Sequence, residues 1–307
     1  MSAAFTTLRT TLERLGRMPR LGLHRAGPQP ALHLKDQASA PLRQLLVCAP
    51  EPFILMPQNL LIYWSPRSAC TKILVWYLAQ TSLLYAADFY SGWPHDFRMN
   101  VLFPSKRYGI WRERIDPKKT KAVRFVRHPD RRAVSSYRHL LAIGNKALTP
   151  HHRALSVRLR RPVDAARGFT FLEYLDYCRA SMGWAFDIHH RIQAHPLETQ
   201  IPPSKVVRLE TDDLVSVLNG LAAAHTLPVT EIETNETFIR VAAHHRAKPD
   251  EAQSDAPVDD VALSAHEALN AWPDPERFLT PAARTKIRTV YAEDFQRYYP
   301  EDADGAV

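Results

Sequence analysis

Residues 60–72, with the sequence LLIYWSPRSACTK, constrain the fold of this chain more than any other segment. A short apolar run typical of a buried strand ends at Ser65-Pro66, and a helical pattern follows after a few small and hydroxyl residues. A strand, a tight loop and a helix in immediate succession aim unpaired backbone N–H groups and the positive helix end at one point. We therefore expect an anion site there, to which Arg67 adds a permanent cation. An ordinary strand-to-helix turn with a solvated arginine is the alternative.

Residues 121–144 repeat the same pattern. A predicted strand at 122–126 leads to Arg127, and Pro129 at a first helical position opens a helix that runs to a stop at Gly144. Ser135 lies in the first two turns of that helix, so it can converge with Arg127 on one phosphate at the carboxyl edge of the sheet. A surface ion pair is the usual fate of a single arginine, but the repeated pattern favours a second anion loop.

Apolar strands alternate with helical stretches along the rest of the chain, which predicts an α/β fold, a three-layer sandwich around a mostly parallel sheet. We expect helices at 71–87 and 129–143, and further helices that begin at the Thr170/Glu173 capping box, at Thr211-Asp212 and at Thr280-Pro281. Residues 1–40 form a basic N-terminal extension, and residues 41–307 form one domain. The extension fits an interfacial helix, an organelle presequence or a basic arm on the domain.

The amino-acid composition limits the possible ligands and compartments less strictly than the two loops do. The formal charge of +8 and the pI near 9.5 suit nucleic acid, an anionic membrane, an acidic glycan or a polyanionic nucleotide cofactor, and we favour the last of these. The three cysteines have no metal-ligand spacing and would leave one thiol unpaired, so we expect a reducing compartment and no metal. No apolar run approaches the ~18 residues of a membrane span. We therefore expect a cytoplasmic protein, with the basic N-terminus as its one candidate membrane contact.

The two loops resemble those of sulfotransferases that use 3′-phosphoadenosine 5′-phosphosulfate (PAPS). SPRSACTK resembles their 5′-phosphosulfate loop, Pro-Lys-x-Gly-[Cys/Thr/Ser]-Thr, and FVRHPDRRAVSSYR resembles their 3′-phosphate motif, Val-Arg-[Asp/Glu/His/Asn]-Pro followed by Val-Ser-x-Tyr-Arg. Later segments occur in the order of the carbohydrate branch of that family, namely FTFLEYL, DIHHRIQ, VVRLETDDL and VYAEDFQRYYP. The resemblance covers residues 58–300 and implies a P-loop-like strand-loop-helix that binds the phosphosulfate.

The resemblance implies roles for individual residues. PAPS is the implied co-substrate, and a hydroxyl of a carbohydrate is the implied acceptor. The implied cofactor-binding residues are Arg67, Ser68, Ala69, Cys70, Thr71, Lys72, Arg127, Ser135, Arg246 and Lys248. His189 and Gln193 match a His-x-x-x-Gln pattern and are the implied substrate-binding pair, with a structural role as the alternative for His189.

Two positions depart from the family pattern. Arg67 stands where the family has lysine, and a guanidinium binds the sulfonate but is a poorer acid than an ammonium group. Ala69 stands where the family has glycine, and we expect its Cβ to restrict the loop to backbone angles that tolerate a side chain and to hold the loop further from the phosphosulfate. A weakened or inactive protein that only binds nucleotide or an anionic partner is therefore a competing hypothesis.

Transfer of a sulfuryl group needs a base for the acceptor hydroxyl. We predict His95 as this base, with Asp96 orienting the imidazole or acting itself, so Arg67, His95 and Asp96 are the candidate catalytic residues. A packed or surface histidine is the alternative interpretation of His95. A P-loop nucleotide kinase is a further alternative, but its Gly-x-x-x-x-Gly-Lys-[Ser/Thr] loop is absent.

A basic run with interleaved aromatics occupies residues 106–121. Tyr108 and Trp111 could stack on sugar rings or bases, whereas a solvated face is the default interpretation. Glu113 and Asp116 interrupt the run, and no nucleic-acid-binding motif accompanies it. We therefore expect a glycan or another hydroxyl-bearing acceptor as the partner, and no nucleic acid.

Overall fold

A computed structural model describes residues 40–56, 58–144, 148–182, 186–230, 234–237, 239–240 and 255–303. The predicted extension at 1–40 therefore lies outside the described residues, apart from Ala40. The helices are α1 (Leu42–Leu46), α2 (Cys70–Gln80), α3 (Leu84–Tyr90), α4 (Pro94–Phe97), α5 (Lys106–Glu113), α6 (Pro129–Gly144), α7 (Pro150–Leu159), α8 (Phe171–Ser181), α9 (Leu214–Ala224), α10 (Ala265–Asn270), α11 (Pro281–Val290), α12 (Ala292–Tyr298) and α13 (Pro300–Ala303). A π-helical turn spans Arg98–Leu102, and 3₁₀ turns span Pro196–Thr199 and Pro275–Phe278.

The described residues form a mixed α/β structure with one open, mostly parallel sheet. Its strands are β1 (Phe53–Leu55), β2 (Leu60–Tyr63), β3 (Lys121–Val126) and β4 (Lys205–Arg208), in the order β1-β2-β3-β4. Only β1 runs antiparallel to its neighbour. The carboxyl ends of β2 and β3 therefore lie side by side, because Leu61 pairs with Ala122 and Tyr63 with Arg124.

Buried strands and buried helix faces make the core. All four residues of β2 are buried, as are the last five of β3, which is the pattern of parallel strands covered on both faces. One hydrophobic cluster is built around β1, β2 and α2, and a second is built around α6, α8, α11 and α12. The helices α2 and α6 follow directly from β2 and β3, and they belong to the first and the second cluster, respectively.

Several predicted helix starts are confirmed. Thr170 and Glu173 form the capping box of α8, and Thr280 caps α11 with Pro281 at its first position. The start of α9 was predicted two residues early, because Asp213 is its N-cap. Asp212 instead accepts a hydrogen bond of 2.6 Å from the Arg208 backbone N–H.

Two sequence interpretations are wrong. The helix predicted at 71–87 is two helices, α2 and α3, because Ser82 takes a left-handed φ of 57° and the Thr81 hydroxyl donates to the Tyr77 carbonyl at 2.9 Å. The aromatic residues of the basic run cannot stack on a sugar or a base, because Tyr108 and Trp111 are buried within the core cluster. In the described residues, no helix has both the length and the apolar character needed to cross a bilayer.

Candidate anion-binding site

The loop between β2 and α2 makes a tight left-handed turn. Arg67 has a φ of 69° and Ala69, the N-cap of α2, has a φ of 54°. Ala69 therefore takes a left-handed conformation that a Cβ tolerates but that favours glycine, at a cost of roughly 1–2 kcal/mol. The turn brings residues 69–72, the N-terminal end of α2, to the wall of a cavity of about 750 Å³.

One face of α6 forms another wall of the same cavity. Arg131, Ser135 and Arg138 are spaced by four and three residues along this helix, so they lie on one side of it, and all three line the cavity. Arg127, at the end of β3, joins them. The two segments that the sequence predicted as anion loops thus border a single space.

The two segments also contact each other directly. Nε of Arg67 donates a hydrogen bond of 2.9 Å to Oγ of Ser135, and Nη1 of Arg127 donates to the carbonyl of Arg67 at 3.3 Å. Both guanidinium groups therefore belong to one side of the molecule, at the carboxyl ends of neighbouring parallel strands.

The cavity is strongly cationic. Its lining includes five basic side chains and a single acid, namely Arg67, Lys72, Arg127, Arg131, Arg138 and Glu210. Burial, together with the nearby Arg127, Arg138 and Arg132, lowers the pKa of Arg67 to about 10, and Cys70 acts in the opposite direction. Arg67 therefore stays charged at neutral pH. Burial also lowers the pKa of Arg127, which Glu210 counteracts. The five basic side chains of the lining repel one another across the cavity. An anion bound in the cavity would relieve this repulsion, so the charge distribution favours anion binding.

Glu210, the one acid of the cavity lining, is held in place by two hydrogen bonds. Its carboxylate accepts a hydrogen bond of 2.9 Å from the His128 backbone N–H and one of 3.0 Å from the Tyr299 hydroxyl. Glu210 thus holds the turn between β3 and α6.

The buried side chain of Gln193 connects the two loops through hydrogen bonds. Its Oε1 accepts hydrogen bonds from the Ser68 hydroxyl at 2.8 Å and from the Arg127 backbone N–H at 2.9 Å. Its Nε2 donates to the Arg127 carbonyl at 2.8 Å, and the side chain is buried. Gln193, the implied partner of a substrate, is therefore not among the residues that line the cavity. Ser68, an implied cofactor-binding residue, is likewise buried, faces this network and is not part of the cavity lining.

His95 lies beside the first turn of α2. Its Nε2 is 3.0 Å from Oγ1 of Thr71, and Thr71 lines the cavity. Pro94 and Asp96 flank it in the short helix α4, and its ring is half-buried next to Trp93, with 5.2 Å between the ring centroids. The exposed Asp96 carboxylate accepts a hydrogen bond of 2.9 Å from the Ser91 hydroxyl. His95 therefore contacts a residue of the cavity wall, and neither His95 nor Asp96 is itself among the residues that line the cavity.

His189 is not among the residues that line this cavity. Its Nδ1 is 2.6 Å from Oδ1 of Asp187, and its ring stacks on His139 with 4.6 Å between the centroids. These contacts fit the structural alternative for His189 better than the implied contact with substrate. Arg246 and Lys248 lie outside the described residues.

Sequence reasoning missed several residues of the site. Arg131 and Arg138 lie within the second motif, and their spacing from Ser135 places them on the same face of α6. Trp272 lines the cavity from a segment 134 residues beyond Arg138, and no local pattern indicates this. Arg132 is buried and donates to the carbonyls of Pro66 at 3.2 Å and Arg191 at 2.7 Å. It thereby fixes the first anion loop to α6.

Comparisons with known proteins found no matching family model, no matching curated protein and no matching solved structure.

Proposed function

We propose that the protein transfers a sulfuryl group from PAPS to a hydroxyl of a carbohydrate acceptor. One observation carries this proposal: Arg67 and Arg127 follow adjacent parallel strands and line the same cavity, at the start of two helices. A nucleotide with phosphate groups at both its 3′ and 5′ positions brings two anionic groups to a cavity, and cations from two loops can bind them. The motif resemblance of both loops supports the same ligand.

In this proposal the two loops bind different phosphate groups of the nucleotide. Arg67, Lys72 and the N-terminal end of α2 hold the 5′-phosphosulfate, because helix N–H groups and cations favour negative charge there. Arg127 and Ser135 hold the 3′-phosphate. The apolar part of the lining, Val134, Leu209, Leu214, Trp272 and Pro275, supplies a surface for the adenine ring.

The reaction is an in-line displacement at sulfur. The acceptor oxygen forms a bond to sulfur while the bond between sulfur and the bridging oxygen breaks, and the electron pair of that bond leaves with the 5′-phosphate. His95 takes the acceptor proton, and the permanently charged Arg67 stabilises the negative charge that develops on the leaving oxygen. Proton transfer at His95 contributes about 10²–10⁴-fold to the rate in this proposal.

The proposal also includes the layers of the fold and the shape of the first anion loop. The sheet is the central layer of a three-layer sandwich, and β2, its loop and α2 form a P-loop-like cradle for phosphosulfate. The burial of β2 and β3 along their lengths supports cover on both faces of the sheet.

Sulfate transfer from labelled PAPS to a panel of glycans tests this function. We expect transfer by the wild type, a fall in kcat of about 10²–10⁴-fold for His95→Ala, and unchanged binding of adenosine 3′,5′-bisphosphate by that variant. The matched control is His225→Gln, which removes a histidine near Lys121 at the other end of the strands and keeps full activity. Equal activity of the wild type and His95→Ala contradicts the assigned base.

A protein that binds the nucleotide without transferring sulfate is the second candidate. The observation that favours it is the arginine at position 67, whose Nε already donates to Ser135 and which cannot donate a proton to a leaving group as lysine does. The Arg67→Lys variant separates the two candidates. Activity in Arg67→Lys and none in the wild type identifies a protein that has lost catalysis and kept nucleotide binding.

A further inference from the structure

A cluster of metal-ligating side chains lies outside the cavity described above. His151 of α7 and Asp187 and His190 of the segment before Gln193 each offer one donor atom, and these atoms lie within 4.8 Å of one another. Nε2 of His151 is 3.5 Å from Oδ2 of Asp187. None of the three lines the cationic cavity. Two imidazoles and a carboxylate therefore converge at a second place in the molecule.

Both histidine rings are oriented by tyrosines of α8. The Tyr177 hydroxyl is 2.7 Å from Nδ1 of His151, and the Tyr174 hydroxyl is 3.1 Å from Nδ1 of His190. Each contact occupies Nδ1 and leaves Nε2 for a ligand bond. Histidines that bind metals usually have the other ring nitrogen held in this way by an outer partner, which fixes the tautomer and the ring orientation.

We propose that His151, Asp187 and His190 bind a zinc ion, through Nε2 of each histidine and a carboxylate oxygen of Asp187. Imidazole nitrogens with one carboxylate oxygen are a common ligand set for Zn²⁺. Two ligands of a tetrahedral zinc ion at ~2.1 Å are roughly 3.4 Å apart, which is close to the separation of His151 and Asp187. The Asp187 side chain is 38% exposed, so water can complete the fourth position.

Such an ion would connect three parts of the structure. It would bind α7 and the segment 187–190 directly and α8 through the two tyrosines. The same segment continues to Gln193, which holds both anion loops. The proposed ion would thus stabilise the segment that leads to the anion loops, and its existence does not depend on the proposed transfer of sulfate.

Titration with cobalt(II) tests this site, because tetrahedral cobalt absorbs visible light and zinc does not. The full chain, purified without a histidine tag and treated with a chelator, should develop a visible band that saturates at one cobalt per chain and disappears when zinc is added. His151→Gln should bind cobalt at least about 100-fold more weakly, and Tyr177→Phe about 10-fold more weakly, since loss of an outer partner alone costs about 10–100-fold. His225→Gln, which changes a distant histidine, should match the wild type.

A variant that keeps a ligand gives an independent readout. His151→Cys should still bind cobalt and add a thiolate-to-cobalt charge-transfer band, which arises only if residue 151 contacts the metal. A wild type that shows no visible band on titration, or a His151→Gln variant with the same cobalt affinity as His225→Gln, would overturn the proposal. In either case the three residues form a hydrogen-bond network only.

Discussion

Single residues of the loop between β2 and α2 hold conformations that their side chains disfavour. Arg67 and Ala69 both have left-handed backbone angles, and neither is glycine. Strain of this kind persists where the surroundings fix the backbone, and it is concentrated at binding sites. Here the hydrogen bonds of Arg132 to Pro66 and of Ser68 to Gln193 fix the loop. The strained loop and the cationic cavity therefore belong to the same feature.

Ala69→Gly should stabilise the protein. Relief of the left-handed strain gains roughly 1–2 kcal/mol, and the extra freedom of glycine in the unfolded chain costs about 0.4–1 kcal/mol. We expect the free energy of unfolding, measured with urea, to rise by roughly 0.5–1 kcal/mol. Ala79→Gly, inside α2, is the matched control and should lower it by about 1 kcal/mol. A loss of stability in both variants would contradict the strained conformation of Ala69.

The buried His195 should make stability depend on pH. Burial, with Arg124 and Arg191, lowers its pKa from 6.5 to about 3, while its hydrogen bond to Cys48 acts in the opposite direction. The unfolded chain therefore binds the proton more tightly, and stability present above pH 6.5 is lost as the pH falls toward 3. Between pH 6.5 and 5 this loss is about 2 kcal/mol.

Chemical denaturation at a series of pH values checks this expectation. His195→Gln should show a shallower fall in the free energy of unfolding below pH 6.5, whereas His266→Gln, an exposed residue of α10, should follow the wild type. Parallel curves for the wild type and His195→Gln would show that His195 does not titrate with folding.

At the scale of elements, the site depends on how two strand-loop-helix units are joined. The side-chain amide of Gln193 forms hydrogen bonds both with the residue that follows β3 and with the loop after β2. These bonds add to the hydrogen bonds within each segment. The backbone N–H of Gln193 in turn donates to Asp294 of α12 at 2.7 Å. Gln193 therefore couples the relative position of the loops to the second hydrophobic cluster.

Gln193→Ala should weaken both stability and nucleotide binding. The substitution leaves the Ser68 hydroxyl and the Arg127 peptide group without their buried partner, so we expect a loss of about 3 kcal/mol in the free energy of unfolding. The melting temperature should fall, and the rise that adenosine 3′,5′-bisphosphate causes should shrink. Gln296→Ala, at an exposed position of α12, is the control and should change stability by less than about 0.5 kcal/mol. A stable Gln193→Ala variant with normal binding would exclude this coupling.

The sequence was sufficient to predict most elements that border the site. The apolar runs and the Pro129 start predicted β2, β3 and α6, because strand burial and helix starts are local properties of the chain. The break between α2 and α3 was missed, since the left-handed turn at Ser82 has no glycine or proline to mark it. The buried state of Tyr108 and Trp111 was missed for a related reason: burial depends on packing against β1, which is distant in sequence.

At the scale of the whole molecule, the cavity forms where two hydrophobic clusters meet. Residues 67–72 belong to the side built on α2, and residues 127–138 belong to the side built on α6. The sequence predicted that both segments contribute to an anion site, because each contains its own motif. It could not predict that Trp272 lines the cavity or that the Ser68 side chain points toward Gln193, because both depend on contacts across more than 100 residues. The central claim is that the two sides bind opposite ends of one nucleotide.

Calorimetric titration with two nucleotides tests that claim most directly. Wild-type protein should bind adenosine 3′,5′-bisphosphate more tightly than adenosine 5′-monophosphate, by roughly 10–100-fold if the 3′-phosphate makes charged hydrogen bonds. Arg127→Ala should abolish this preference while retaining the affinity for the monophosphate, and Arg114→Ala, outside the cavity lining, should keep the preference. An Arg127→Ala variant that keeps the full preference, or that loses affinity for both nucleotides equally, would contradict the claim.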